Sequence, residues 1–125
     1  MDIKLITSDM DKIKADAVII GIFEDTDGND IEKMLDKTLE GAVARLRQTK
    51  EIWGKLSELT IMHSPARFKA SKAVILGLGK KQEFTAVKLR AAVADACRIL
   101  QRKNSLDLAL VLPDTGLDAG DIGLA

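Results

Sequence analysis

Residues 74–85, VILGLGKKQEFT, set Gly77, Leu78 and Gly79 between an apolar run and two lysines, Lys80 and Lys81. Glycines at a strand exit with cations behind them are the raw material of a phosphate cradle, because bare backbone N–H groups can approach an anion closely. The details do not complete one. A dinucleotide fingerprint needs a third glycine at position 82, where Gln82 stands. A Walker-type loop needs Lys followed by Ser or Thr, whereas Lys80 is followed by Lys81. Thr85, suited to cap the next helix, lies six positions beyond Gly79, so glycines and helix N-terminus do not meet at one phosphate. The plainer reading is a tight strand exit with both lysines in solvent.

A second candidate is EDTDGNDIEKMLD, residues 24–36, in which Asp25, Asp27 and Asn29 match the first alternating oxygen ligands of a calcium loop and Asp36 matches its last. The turn position that requires glycine is occupied by Asp30, and the closing carboxylate is an Asp, one methylene short of the usual bidentate Glu. An apolar strand-like run precedes the loop where a helix belongs. A solvated strand-to-helix loop is the better account.

Other reactive side chains are few. His63 is the only histidine and Cys97 the only cysteine, so no zinc set of the common nitrogen and sulfur type can be assembled. Cys97 falls on the apolar stripe of a helix, where it acts as a small hydrophobe. Three basic groups stand out: Arg45, Arg47 and Lys50; Lys80 and Lys81; and Arg98, Arg102 and Lys103. Glu51, Glu58 and Glu83 are interleaved with them, and the aromatic residues are scattered, which argues against a single-strand nucleic-acid platform. These charges read as a solvated surface that complements helix dipoles. The residues nominate no catalytic, cofactor-binding or metal-ligating position.

The elements that would carry these residues are legible from periodicity. Ile3, Leu5 and Ile6 read as a short strand ended by Thr7, Ser8 and Asp9. AVIIGIF, 17–23, is an unbroken apolar run with β-branched residues, suited to a central strand buried on both faces. Asp30 is the expected N-cap of the following helix, whose apolar face runs through Ile31, Met34, Leu35, Leu39, Ala42, Val43 and Leu46. Gly41 interrupts that face and predicts a kink or two consecutive helices. TKEIWGKLSE reads as a connection turning at Trp53 and Gly54, LTIMHSP (59–65) as a strand stopped by Pro65, and AVILGLG as a second buried strand. Leu89, Ala92, Val93, Ala96, Cys97 and Leu100 form the stripe of a helix after Thr85, and LALVLPD (108–114) is a last strand. Strands and helices alternate, so the fold class is α/β, a mixed and mainly parallel sheet flanked by helices. Ligands of such sheets bind beyond the strand carboxyl ends, here the loops after Phe23, Gly77 and Leu112.

Composition sets the outer bounds. The chain has 125 residues with 19 basic and 19 acidic side chains, 46% hydrophobic and 30% charged residues, the balance of one soluble globular domain. Zero net charge offers no overall field to nucleic acid or anionic lipid. One cysteine precludes an intrachain disulfide and suits a reducing, cytoplasmic setting, and neither a membrane span nor a signal-peptide core is evident.

The order of segments resembles the N-terminal domain of the leucyl aminopeptidase, or cytosol aminopeptidase, family. DAVIIGIFED, LEGAVARL, LTIMHS, KAVILGLGKKQEFTAVKLRAAVADACRIL and LALVLP carry the resemblance, which extends from about Ile3 to the final LDAGDIGLA. It implies a macro-domain-like fold over residues 1–115, with 116–125 beginning a linker toward an absent catalytic domain. It implies a cytoplasmic, hexameric parent enzyme that releases N-terminal amino acids with two divalent metals, zinc or manganese. Its metal ligands and NTDAEGR-type signature lie in that other domain, and none maps onto a position here. The chain is then a non-catalytic accessory domain. Its partners are its own catalytic domain and sister subunits, its tasks hexamer assembly and active-site access, and membrane or nucleic-acid binding is not expected. The competing reading is a free-standing macro-like module for ADP-ribose or a related nucleotide. ADP-ribose binders are similar at Asp16-Ala17-Val18 but continue into an asparagine-rich loop, where this chain has Gly21-Ile22-Phe23-Glu24. A purely structural oligomerisation domain differs from the first reading only in lacking a catalytic partner.

Overall fold

The computed structural model describes residues 2–6, 10–25, 30–63, 68–105 and 107–113. Five strands form one sheet: β1 (Asp2–Ile6), β2 (Ala17–Ile22), β3 (Leu59–His63), β4 (Lys72–Gly77) and β5 (Asp107–Val111). Their spatial order is β1-β5-β2-β4-β3. All neighbours run parallel except β3, which pairs antiparallel with β4 through Leu59↔Leu76 and Thr60↔Ile75. β2 and β4 pair from Ala17↔Lys72 to Ile22↔Gly77, so both strands end together at one edge.

Every residue of β2 is buried, as its unbroken apolar run requires of a strand covered on both sides. Alternate residues feed two cores. Ala17 and Ile19 meet Val74, Leu76, Leu108 and Leu110 beneath α3 (Ala86–Arg102), which contributes Leu89, Ala92, Val93, Ala96 and Leu100. Val18, Ile20 and Ile22 meet Ala73, Ile75, Ala109 and Val111 on the opposite face. Leu35 from α1 (Asp30–Thr38) and Val43 from α2 (Ala42–Gln48) close that second core. The α3 stripe and its Thr85 cap agree with the periodicity: the Lys88 N–H donates to Thr85 Oγ1 at 3.2 Å.

Gly41 does split the long amphipathic pattern. It takes φ +85°, a left-handed conformation that glycine adopts without Cβ strain, between α1 and α2. Asp36 then accepts the Ala44 N–H at 2.9 Å, serving an otherwise unpaired donor in the first turn of α2. Two local expectations need correction. Asp30, expected as the cap, stands inside α1 as the first of its described residues. Met34 is 44% exposed, so the apolar face of α1 is narrower than its spacing suggested. The stops at Thr7-Ser8-Asp9 and Pro65, and the linker boundary at 115, lie outside the described residues.

Candidate functional site

The backbone itself shapes the carboxyl edge of β2 and β4. Beyond the regular ladder, Leu78 N–H donates to Ile22 O at 2.8 Å and Glu24 N–H to Gly79 O at 2.9 Å, so the two strand exits stay together. The connection before β3 crosses their other side. Gly79 N–H donates to Gly54 O at 2.9 Å, Ser57 N–H to Gly77 O at 3.0 Å and Gly77 N–H to Glu58 O at 2.8 Å. A Cβ on Gly77 would lie 1.9 Å from Lys55 O, a distance no side chain tolerates. Gly77 is therefore a packing glycine, set by a neighbouring loop and not by a ligand.

Two carboxylates brace the connection and its neighbour. Glu58 Oε1 accepts the backbone N–H groups of Trp53 (2.9 Å) and Gly54 (3.0 Å), which holds the turn closed. Asp25 Oδ1 accepts Lys81 N–H at 3.0 Å, tying the β2 exit to the single 3-10 turn Lys81–Glu83 that fills the gap before Thr85. Phe23 and Phe84 pack edge to face, with centroids 5.3 Å apart, under the same corner.

Arg47 corrects the reading of its basic group as solvated. Its guanidinium makes a two-pronged pair with Glu32, Nε to Oε2 at 2.8 Å and Nη2 to Oε1 at 2.7 Å, and Nη2 also donates to Phe23 O at 2.7 Å. Side-chain exposure is 16% for Arg47 and 8% for Glu32. The planar fork suits this because it can serve a carboxylate and a strand-end carbonyl together. One side chain on α2 thereby links α1 to the end of β2. Arg45 donates to Glu40 O at 3.0 Å, while Lys80 and Lys81 are exposed as expected.

A cavity of about 170 Å³ opens at this edge. Lys55, Lys80, Lys88, Glu24 and Glu83 give it both signs of charge, and Leu56, Leu78 and Gly79 give it an apolar side. Drug-sized ligand pockets run to about 300–1,000 Å³, so this one suits a smaller molecule than a dinucleotide. Lys55 also places its ammonium 4.8 Å from the centre of the Trp53 ring. Among the glycine-loop residues singled out earlier, Gly79 and Lys80 line the cavity, while Gly77 belongs to the loop contact. Glu24, Leu78 and Gly79 lie in the loops after Phe23 and Gly77 where the strand order placed a site, whereas Lys55 and Lys88 were not foreseen: they converge from separate segments, with no local motif.

The remaining candidates are dispersed. His63 is exposed at the end of β3, and Cys97 is half-buried on α3, where burial raises its thiol above the ordinary value of 9.0 against a smaller opposing effect of Arg98. Of the calcium-like set, Asp25 and Asp36 are engaged with backbone N–H groups, and Asp27 and Asn29 lie outside the described residues. Among the described residues no three His, Cys, Asp or Glu side chains gather where an ion could sit. A centre for two divalent ions, which needs several fixed carboxylates, does not fit the residues described here.

A match to the cytosol aminopeptidase family, N-terminal domain, runs over residues 19–123. The chain belongs to that family. Sequence relatives agree: a probable cytosol aminopeptidase of Koribacter versatilis is 33% identical over 124 residues, which is 97% of this chain and 24% of the relative. That of Geobacter sp. (strain M21) is 33% identical over 97 residues, 78% of this chain and 20% of the relative. The chain thus spans no more than 24% of these relatives' length. A solved mutant of tomato leucine aminopeptidase superposes with TM-score 0.72 at 17% identity, over 96% of this chain and 25% of that one. The macrodomain of Mycobacterium tuberculosis DarG gives TM-score 0.71 at 14% identity, over 97% of this chain and 84% of that one. The macro-like α/β fold of this aminopeptidase N-terminal domain follows from both. Among its described residues no helix is long and apolar enough to cross a membrane.

Proposed function

We propose that the chain is the non-catalytic accessory domain of a cytoplasmic, two-metal leucyl aminopeptidase, supporting hexamer assembly and access to the active sites. The observation that carries this reading is the family match over residues 19–123 in a chain equal to only 20–24% of its relatives' length. Zinc or manganese, the peptide substrate and the ligands of both ions belong to the rest of such an enzyme. The dispersed carboxylates of this domain support that division, since Asp25, Asp36 and Glu58 are engaged in holding backbone turns.

Activity tests the proposal directly. The purified chain, given leucine p-nitroanilide with manganese or zinc, is expected to show no turnover above a metal-only blank. Turnover that co-purifies with the chain and survives a chelation-and-reloading control would overturn it. The accessory role is tested in the longer protein: deleting residues 1–115 is expected to shift the assembly below the hexamer in sedimentation analysis. An intact hexamer with unchanged kcat/KM would remove both proposed tasks.

A further inference from the structure

We propose that the cavity at the carboxyl edge of β2 and β4 binds a free α-amino acid with an aliphatic side chain. The inference does not rest on the peptidase reading. It begins from a mismatch in the cavity wall. Glu24 and Lys88 are both half-buried, face the same small space, and make no ion pair with each other among the described residues. Lys80 and Glu83 repeat the pattern at the rim, and again no ion pair joins them. The backbone at Glu24 is held by its N–H bond to Gly79 O, and that at Lys88 by its N–H bond to Thr85 Oγ1 at the head of α3.

The wall selects among ligand chemistries. A simple anion would satisfy the lysines but meet repulsion from Glu24 and Glu83. A simple cation would meet the reverse. A dinucleotide exceeds about 170 Å³ of space. A zwitterion supplies both charges a few ångströms apart, a carboxylate for Lys88 and an ammonium for Glu24, each as a charge-assisted hydrogen bond. Leu78, which is buried, and Leu56, which is 42% exposed, offer the apolar contact that an aliphatic side chain needs. The position agrees with the rule that open α/β sheets bind ligands beyond the carboxyl ends of their strands.

The test is a titration of the 125-residue chain, followed by calorimetry and backbone amide shifts. The probes are L-leucine, L-leucinamide, 4-methylpentanoate and inorganic phosphate. Saturable leucine binding is expected, with shifts centred on Glu24, Gly79 and Lys88. Leucinamide lacks the carboxylate and 4-methylpentanoate the ammonium, so each is expected to bind roughly tenfold or more weakly. Glu24→Gln and Lys88→Gln should each weaken leucine by a similar factor while the circular dichroism spectrum is unchanged. If a variant misfolds, the comparison of analogues on the unaltered chain still decides. Absence of saturable leucine binding overturns the proposal. Phosphate or 4-methylpentanoate binding as tightly as leucine does so too, because the cavity would then be a plain anion site, and equal binding of leucinamide would leave the lysines without a role.

Discussion

At the scale of single residues, Arg47 joins two helices and a strand end through one guanidinium. Its partner Glu32 is buried on α1, and the Phe23 carbonyl at the end of β2 shares the same guanidinium. Arg47→Met leaves a carboxylate in a poorly solvated position, for which breaking a buried pair costs about 3 kcal/mol. Adding Glu32→Leu removes that buried charge as well, so the double variant is expected to lose less stability than Arg47→Met alone. Urea midpoints of the three proteins check this, and equal losses in the single and double variants would show that the carbonyl contact, not the ion pair, matters. Cys97 makes a different kind of prediction. Burial raises its thiol pKa, so the neutral form persists in the folded chain to a higher pH than in the unfolded one. Its contribution to stability is therefore complete below the ordinary value of 9.0 and is lost as pH rises above it. Alkylation at pH 8 should be slower for the folded chain than for the same chain in denaturant, with the two rates converging as pH climbs. Equal rates at pH 8 would contradict it.

At the scale of elements, the connection from Ile52 to Glu58 and the exit of β4 determine one another. Gly77 has an ordinary backbone conformation, since its φ is not among the positive values, yet it has no room for a methyl group beneath Lys55 O. Gly79 is the converse: φ is +76°, but a Cβ there would come no nearer than 3.3 Å to Leu56 Cβ and 3.6 Å to the Leu56 backbone N, close to ordinary contact. Gly77→Ala must therefore displace backbone and is expected to cost about 3 kcal/mol or more. Gly79→Ala needs only a left-handed residue, about 1–2 kcal/mol. Thermal melts of the two variants should rank in that order, and the reverse ranking would mean the connection yields easily. The contrast also explains what was readable in advance. β2, β4 and α3 follow from patterns within their own segments, and the helix break at Gly41 follows from one residue type in one pattern. The role of Gly77 does not, because it is defined by a carbonyl from Lys55 that no nearby residue announces. Arg47 was misread for the same reason: a cation near a helix end looks solvated until the fold brings Glu32 and Phe23 beside it. The cavity lies at the loops after Phe23 and Gly77, as the strand order implied, but spacing along the chain carries no trace of Lys55 and Lys88 joining Glu24 there.

At the scale of the molecule, one sheet divides two cores, and β2, β4 and β5 contribute side chains to both. Neither face can be exposed without disturbing strands that the other face needs, which favours a single cooperative transition. The least obvious member of that unit is the connection carrying Trp53, since its tryptophan is 43% exposed. Its backbone is nevertheless bound to the sheet through Gly54 O, Ser57 N–H and Glu58 O, and the Glu58 carboxylate closes the turn from within. Opening it would strip partners from Gly77 and Gly79 at the end of β4, so it should not open ahead of the strands. Trp53 is the only tryptophan, which makes its fluorescence a report on this connection alone, while far-UV circular dichroism reports on the helices and strands. The two signals are expected to give coincident urea midpoints. A fluorescence transition at distinctly lower urea would mean that the connection detaches as a separate unit and that the cavity wall formed by Lys55 and Leu56 is mobile before the fold is lost.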